Sequence, residues 1–233
     1  MIKDLEFETY LSISPRKLGI YLFDIKNQKN LYKEELNINE NMIFNESDLL
    51  KNFLDDNIFK IEKLIGNFIE NIILIIENKN IFNLQIGIKK KNYNSFINKK
   101  YLKNYLTEAK DLFKENYQNE KIMHIIINNY LIDGKNYRSI DNNLKCEQLG
   151  LEIQFISISN SFINDLDKIL ENYQIKIIKY LDGNYIQNFF KENIDISEMT
   201  YKILNGYNEN EVTIIPRNRK KVAFFERFFQ LFS

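Results

Sequence analysis

Apolar residues along this chain follow two spacings, and their alternation is the feature that most limits its fold. Residues 46–70 carry an apolar side chain at every third or fourth position, which is typical of a helix with one buried face. Three short runs rich in β-branched and aromatic residues come before this helix and predict a three-stranded meander: Leu5–Ser14, Leu18–Ile25 and Asn30–Ile38. A dense apolar run, Ile69–Ile76, follows the helix and predicts a buried strand.

A second block of the chain repeats the two spacings in a different order. Its runs predict a strand, a helix, two strands, a helix and a final strand, at Ile81–Lys89, Asn98–Glu115, Lys121–Leu131, Leu149–Ser159, Asn160–Asn172 and Ile175–Leu181. This order is typical of an α+β sandwich, in which the helices cover one face of a small sheet. The chain as a whole is therefore predicted to be α+β.

The pattern weakens after Asp182-Gly183. A short returning helix is expected at Asn184–Lys191, and the mixed, polar residues 192–216 are interpreted as a linker with local pairing near Val212–Ile215. The predicted organisation is a first lobe, an inserted subdomain, a returning helix, a linker and a terminal helix, at residues 1–80, 81–181, 182–191, 192–216 and 217–233.

Composition limits the classes of protein to which this chain can belong. The 233 residues carry 32 Lys+Arg against 32 Asp+Glu, a net charge of zero that argues against a general nucleic-acid binder. One cysteine cannot form an internal disulfide and fits a reducing compartment. No signal-peptide core is present, and no apolar stretch reaches the ~20 residues of a spanning helix. The sequence predicts a cytoplasmic protein that does not cross the membrane.

The last seventeen residues, RNRKKVAFFERFFQLFS, place five phenylalanines in nine positions behind a cluster of basic residues. On a helical wheel the apolar side chains share one face, and the segment is long enough to lie flat in a membrane interface. The candidate membrane-binding residues are Arg217, Arg219, Lys220, Lys221, Val222, Phe224, Phe225, Arg227, Phe228, Phe229, Leu231 and Phe232. The alternative is a terminal helix that folds back onto the protein's own core.

Several stretches, taken in order, resemble the bacterial cell-division protein FtsA. They are EKIMHIIINNYLIDG (Glu120–Gly134), DNNLKCEQLGLEIQFISIS (Asp141–Ser159) and NSFINDLDKILENYQIKI, together with the amphipathic C-terminus. The resemblance implies a partial actin-like (ribonuclease H-like) lobe that carries an inserted subdomain. It also implies a peripheral protein on the cytoplasmic face of the inner membrane at the division site. The partners implied are membrane lipids, FtsA-like copies, FtsN and FtsZ, although in this family the second lobe contacts FtsZ.

The chain departs from the family where nucleotide would bind. Actin-like ATPases need small residues in a phosphate loop between the first two strands, where backbone N–H groups reach the phosphates. This chain has SISPRKLGI there, with Pro15, Arg16 and Lys17 in place of an acid and small residues. A second phosphate loop of Asp-x-Gly-Gly type is not found, and the chain passes from Phe190 almost directly to the predicted linker. We therefore expect no ATP, no other cofactor and no metal.

Two other classes of protein stay open. The first is a PilM-like scaffold of a pilus or secretion assembly, which also has an actin-like fold with such an insertion. The second is an unrelated enzyme. A lone histidine and a lone cysteine, His124 and Cys146, do not make a zinc site of familiar spacing, and a packed or rim histidine is expected at position 124. Asp133-Gly134 and Asp182-Gly183 are interpreted as turns. The sequence favours a non-enzymatic adaptor.

Overall fold

The computed structural model describes residues 6–38, 46–97, 99–140, 144–190 and 194–212. In chain order, the elements are β1 (Phe7–Ser14), β2 (Lys17–Asp24), β3 (Lys29–Asn37), α1 (Glu46–Ile65), β4 (Asn71–Ile76), β5 (Phe82–Phe96), α2 (Lys99–Asn116), β6 (Glu120–Ile132), β7 (Lys135–Tyr137), β8 (Lys145–Ser159), α3 (Asn160–Glu171), β9 (Lys176–Asp182), α4 (Gly183–Phe189) and α5 (Ile196–Leu204). The described residues form two compact units: a first unit of residues 6–81 and 158–207, and a second unit of residues 82–157 and 208–212.

The first unit is built on a five-stranded sheet in the order β3-β2-β1-β4-β9. The predicted meander forms β1, β2 and β3, each antiparallel to the next, and β4 and β9 then run parallel to β1. Only β2 therefore opposes the direction of the other strands. This mixed sheet agrees with the ribonuclease H-like lobe predicted from the sequence.

Helices cover both faces of this sheet. The helices α1 and α3 pack on β2, β3 and β9, whereas α4 and α5 pack on β2, β4 and β9. Because β4 is covered on both faces, all of its residues from Ile72 to Ile76 are buried, which explains its continuous apolar sequence. Side chains of β1 alternate between the two cores: Tyr10 packs with the core that includes Met199 and Tyr201 of α5.

The second unit contains a four-stranded sheet in the order β5-β8-β6-β7, with α2 packed against it. Residues Tyr105, Ala109 and Phe113 recur every fourth position along α2 and are buried in its core. The ring of Phe113 stacks on Phe155 of β8, with 4.9 Å between the ring centroids. The second unit thus has a hydrophobic core of its own.

A short segment at the end of the described chain, Asn208–Val212, returns to the second unit and pairs with β6. The N–H of Ile127 donates to the carbonyl of Asn210 at 2.9 Å, and the N–H of Val212 donates to the carbonyl of Ile125 at 2.8 Å. The sequence predicts local pairing near Val212–Ile215; of these residues the structure describes only Val212, and its backbone partner is Ile125 of the distant strand β6.

Two of the predicted domain boundaries differ from the structure. The predicted linker contains a helix, α5, with Met199, Tyr201 and Ile203 buried in the core of the first unit. The predicted inserted subdomain, residues 81–181, extended too far, because β9 pairs with β4 and α3 packs on β9 in the first unit. The physical reason in both places is tertiary packing, which a local pattern does not contain.

Candidate functional site

The turn between β1 and β2 stands where the family resemblance places a phosphate loop. Ser14 pairs directly with Lys17, so only Pro15 and Arg16 form the turn. The hydroxyl of Ser14 donates to the carbonyl of Lys17 at 3.0 Å, and the N–H of Ile38 donates to the carbonyl of Arg16 at 2.7 Å. Pro15 has no N–H to offer. The turn is therefore closed on itself and does not form a cradle of backbone donors.

A cleft of about 260 Å³ lies beside this turn, at the carboxyl ends of the parallel strands β1, β4 and β9. We call it the turn cleft; it is lined by Ser14, Pro15, Arg16, Glu77, Asn78, Lys79 and Asn184. Ligands of α/β sheets commonly bind at this end of the strands. The turn cleft is thus the position in the first unit where a ligand would be sought first.

The two acids near the turn cleft have structural partners. Gln187 donates its side-chain N–H to Glu77 Oε1 at 2.5 Å, and burial raises the pKa of the Glu77 carboxyl above its ordinary value. Asp182 Oδ1 accepts the N–H of Asn184 at 2.9 Å and caps α4. A Cβ at Gly183 would lie 2.6 Å from Glu77 Cγ, so the backbone approaches this side chain closely. The arrangement fixes the start of α4 instead of presenting two free carboxylates to a substrate.

A larger cavity of about 380 Å³ lies at the opposite end of the same strands. We call it the β1–β4 groove; its lining includes Phe7, Glu8, Phe68, Ile69, Glu70 and Ile178. Three of its large apolar side chains are open to solvent: Phe68 is 78% exposed, Ile178 48% and Phe7 36%. Exposed apolar side chains grouped around a concavity are typical of an interaction site.

The β1–β4 groove also carries acidic side chains. Glu8 and Glu70 are acidic, and no basic side chain is among the described residues that line it. Burial raises the pKa of Glu8 above its ordinary value, opposed by the hydrogen bond from the Tyr10 hydroxyl and by the charge of Lys179. The groove therefore suits an apolar ligand that carries positive charge.

His124 and Cys146 lie in the second unit, each with its own partner. His124 is 1% exposed, as expected for a packed histidine, and its Nδ1 lies 2.7 Å from Glu211 Oε1. Cys146 is buried, its Sγ accepts a hydrogen bond from Asn92 Nδ2 at 3.3 Å, and burial raises the pKa of the thiol. Among the described residues, no cluster of three or more potential ligands could hold a metal ion.

The candidate membrane-binding residues, from Arg217 to Phe232, lie outside the described residues. Within the described ranges, no helix is both long enough and apolar enough to cross a membrane. Sequence reasoning missed the β1–β4 groove and the role of Glu211. The only local signal for the groove was Gly66, which ends α1 before the apolar Phe68-Ile69 pair.

The chain matches no family model, and no curated protein matches its sequence. Solved structures do match. A chain of the PilM–PilN type IV pilus biogenesis complex aligns with 80% of this chain and 50% of its own length, at 10% identity and a TM-score of 0.51. A Bacteroides thetaiotaomicron protein with an actin-like ATPase fold and unknown function aligns at 15% identity, covering 81% of this chain and 58% of its own, with a TM-score of 0.37.

The cytoplasmic domain of EpsL, an inner-membrane component of the type II secretion system of Vibrio cholerae, aligns at 8% identity, covering 78% of this chain and 57% of its own, with a TM-score of 0.33. This chain spans about half the length of the solved structures that it matches. At 10% identity, the match to the pilus complex is a likeness of fold, and it supports the predicted partial actin-like lobe. None of these three structures is an FtsA.

Proposed function

We propose that this protein is a non-enzymatic scaffold of a pilus or secretion assembly. One observation carries the proposal: four-fifths of the chain shares its fold with a chain of the PilM–PilN type IV pilus biogenesis complex. The scaffold role follows from what that complex is, a set of proteins held together in a larger assembly. The sequence leaves this class of protein open, and the structural likeness favours it over a division protein.

The geometry of the first unit supports a role without nucleotide chemistry. The β1–β2 turn is two residues long and begins with a proline, so it lacks the row of N–H donors that holds phosphates in actin-like ATPases. Glu77 and Asp182 are engaged by Gln187 and Asn184. We propose that the lobe is retained as a rigid body that presents binding surfaces.

The C-terminal sequence supports a peripheral position on the cytoplasmic face of the inner membrane. Five basic residues, Arg217, Arg219, Lys220, Lys221 and Arg227, oppose only Glu226 in the last seventeen residues. Each basic residue near an anionic surface contributes about 1 kcal/mol, and the phenylalanines add part of their burial energy. Binding of this strength is reversible, and several copies in one assembly would hold the membrane much better than one.

Deletion of the gene in the source organism tests the proposal. We expect fewer surface pili by electron microscopy, or loss of a secreted protein, in cells of normal length. Expression of the wild-type chain from a plasmid should restore the lost structure or secreted protein. Normal pili and normal secretion in the deletion strain would contradict the assembly role.

A second candidate, an FtsA-like division adaptor, is favoured by one observation, the amphipathic C-terminus with its basic flank. The same deletion strain separates the two functions. Filamentous cells with normal pili and secretion would replace the first proposal with the second.

A further inference from the structure

We propose that the β1–β4 groove is a docking site for the C-terminal segment of this same chain, residues 217–233. All residues that line the groove belong to the first unit and are described by the structure. Residues 217–233 lie outside the described residues. The proposal does not depend on the pilus or secretion role.

The local backbone directs Phe68 toward solvent. Gly66 takes a left-handed conformation, with φ of 70°, and its N–H closes the last turn of α1 on the carbonyl of Glu62 at 2.8 Å. Ile69 is buried, and its N–H donates to Glu62 Oε1 at 3.1 Å. The hydrogen bonds of Gly66 and Ile69 therefore fix the backbone on both sides of Phe68, and this ordered backbone holds its side chain in an exposed position.

The charge of the groove selects among occupants. Glu8 and Glu70 line it, so an anionic lipid surface is disfavoured there and a cationic peptide is favoured. The C-terminal segment is the part of this chain that joins positive charge to aromatic side chains most densely: five basic residues against one acid, and five phenylalanines between positions 224 and 232. Its chemistry complements both features of the groove.

The length of the tether limits which surfaces the segment can reach. Eleven residues lie between Val212, the last described residue, and Phe224, the first phenylalanine of the segment, and an extended tether of that length reaches up to about 40 Å. The segment would then have two alternative binding sites, the groove and the membrane. Docking in the groove would shield the phenylalanines while no membrane is bound. This last consequence rests on the membrane role proposed above.

Tryptophan quenching in the full chain tests the docking. The natural sequence has no tryptophan, so F68W introduces a single reporter in the groove. F59W is a matched control, because Phe59 is 71% exposed on α1 and does not line the groove. Each variant is made with the natural C-terminus and with F225E/F228E, and acrylamide quenching is measured without membranes.

We expect the F68W indole to be shielded by the natural C-terminus and exposed by F225E/F228E. If the segment occupies the groove in about two-thirds of molecules, the quenching constant changes about threefold. The F59W indole should be quenched equally with either C-terminus. Equal quenching of F68W with both C-termini would overturn the proposal, and shielding that disappears on dilution would assign the segment to a second copy and overturn docking within one chain.

A charge reversal and a vesicle titration complete the test. Glu70→Lys in the F68W background should increase quenching, whereas Asp56→Lys, at an exposed position of α1 away from the groove, should not. Vesicles of anionic phospholipid should expose the F68W indole as the segment transfers to lipid. If the vesicles bind the protein while the F68W indole stays shielded, the groove and the membrane do not compete for the segment.

Discussion

Nδ1 of His124 lies 2.7 Å from Oε1 of Glu211, although 87 residues separate the two in sequence. The histidine side chain is fully buried in the second unit, and the glutamate is nearly so. The contact joins β6 to the segment Asn208–Val212, next to the two backbone hydrogen bonds of the same segment. The C-terminal end of the described chain is thereby tied to the sheet by one buried polar pair.

Removal of the carboxylate from this pair should destabilise the protein. Glu211→Ala leaves a buried imidazole nitrogen without this partner, and such a loss costs about 1–3 kcal/mol. Urea denaturation followed by circular dichroism measures the change. Glu209→Ala, at an exposed position of the same segment, is the control and should leave the midpoint nearly unchanged. Equal effects of the two variants would show that the pair does not stabilise the segment.

The carboxyl of Glu8 should make stability depend on pH. Burial raises its folded-state pKa above the ordinary value of 4.5, so the folded protein holds this proton more tightly than the unfolded chain. Stability is therefore lost as pH rises from 4.5 through the folded pKa. Glu8→Gln keeps an acceptor for the Tyr10 hydroxyl and removes this loss. The variant should be more stable than the wild type at neutral pH and equal to it below the ordinary pKa; a difference that does not change with pH would contradict this account.

Mg-ATP should not raise the melting temperature of the full chain. A ligand at 100 times its Kd stabilises the folded state by about 2.7 kcal/mol, which is about 5 °C or more for a chain of this size. An ATP-binding actin-like protein measured in parallel is the positive control. A rise of several degrees with millimolar Mg-ATP would show that the two-residue β1–β2 turn still allows nucleotide to bind.

The C-terminal segment should carry a fluorescent protein to the membrane. In a fusion of residues 217–233, F225E/F228E should lower the membrane-bound fraction about tenfold or more, because two phenylalanines lose their burial. Gln230→Glu adds the same kind of charge on the polar face and is the matched control. Fluorescence microscopy and membrane flotation measure the bound fraction. A double variant that stays fully bound would contradict the membrane role.

Local pattern predicted most of the elements of this fold. The predicted meander corresponds to β1, β2 and β3 within two residues at each end, and Asn160–Asn172 corresponds to α3. The helix predicted from Glu46 ends at Ile65 and not near Glu70, because Gly66 adopts the left-handed conformation that terminates helices. Such agreement is expected where burial of one face follows directly from the spacing of apolar residues.

Pattern did not predict α5 or the division between the units. Two polar residues, Ser197 and Thr200, interrupt the apolar residues of α5, and the sequence of this segment therefore resembles a linker. Both polar residues are nevertheless buried. The strand β9 joins β4 across an insertion of more than seventy residues, and only the pairing itself assigns it to the first unit. Local sequence carries no record of which distant strand will supply hydrogen-bond partners.

By itself, the sequence determined the kind and order of most elements, the proline-containing turn after β1 and the cationic, phenylalanine-rich C-terminus, because these depend on residue type and near neighbours. Tertiary structure alone decided that Glu211 meets His124 and that Phe7, Phe68 and Ile178 surround one acidic groove. The residues of each set come from separate elements. Strand order and the packing of the core within each unit bring them together. That placement depends on the sum of many distant contacts, which no single stretch of the chain contains.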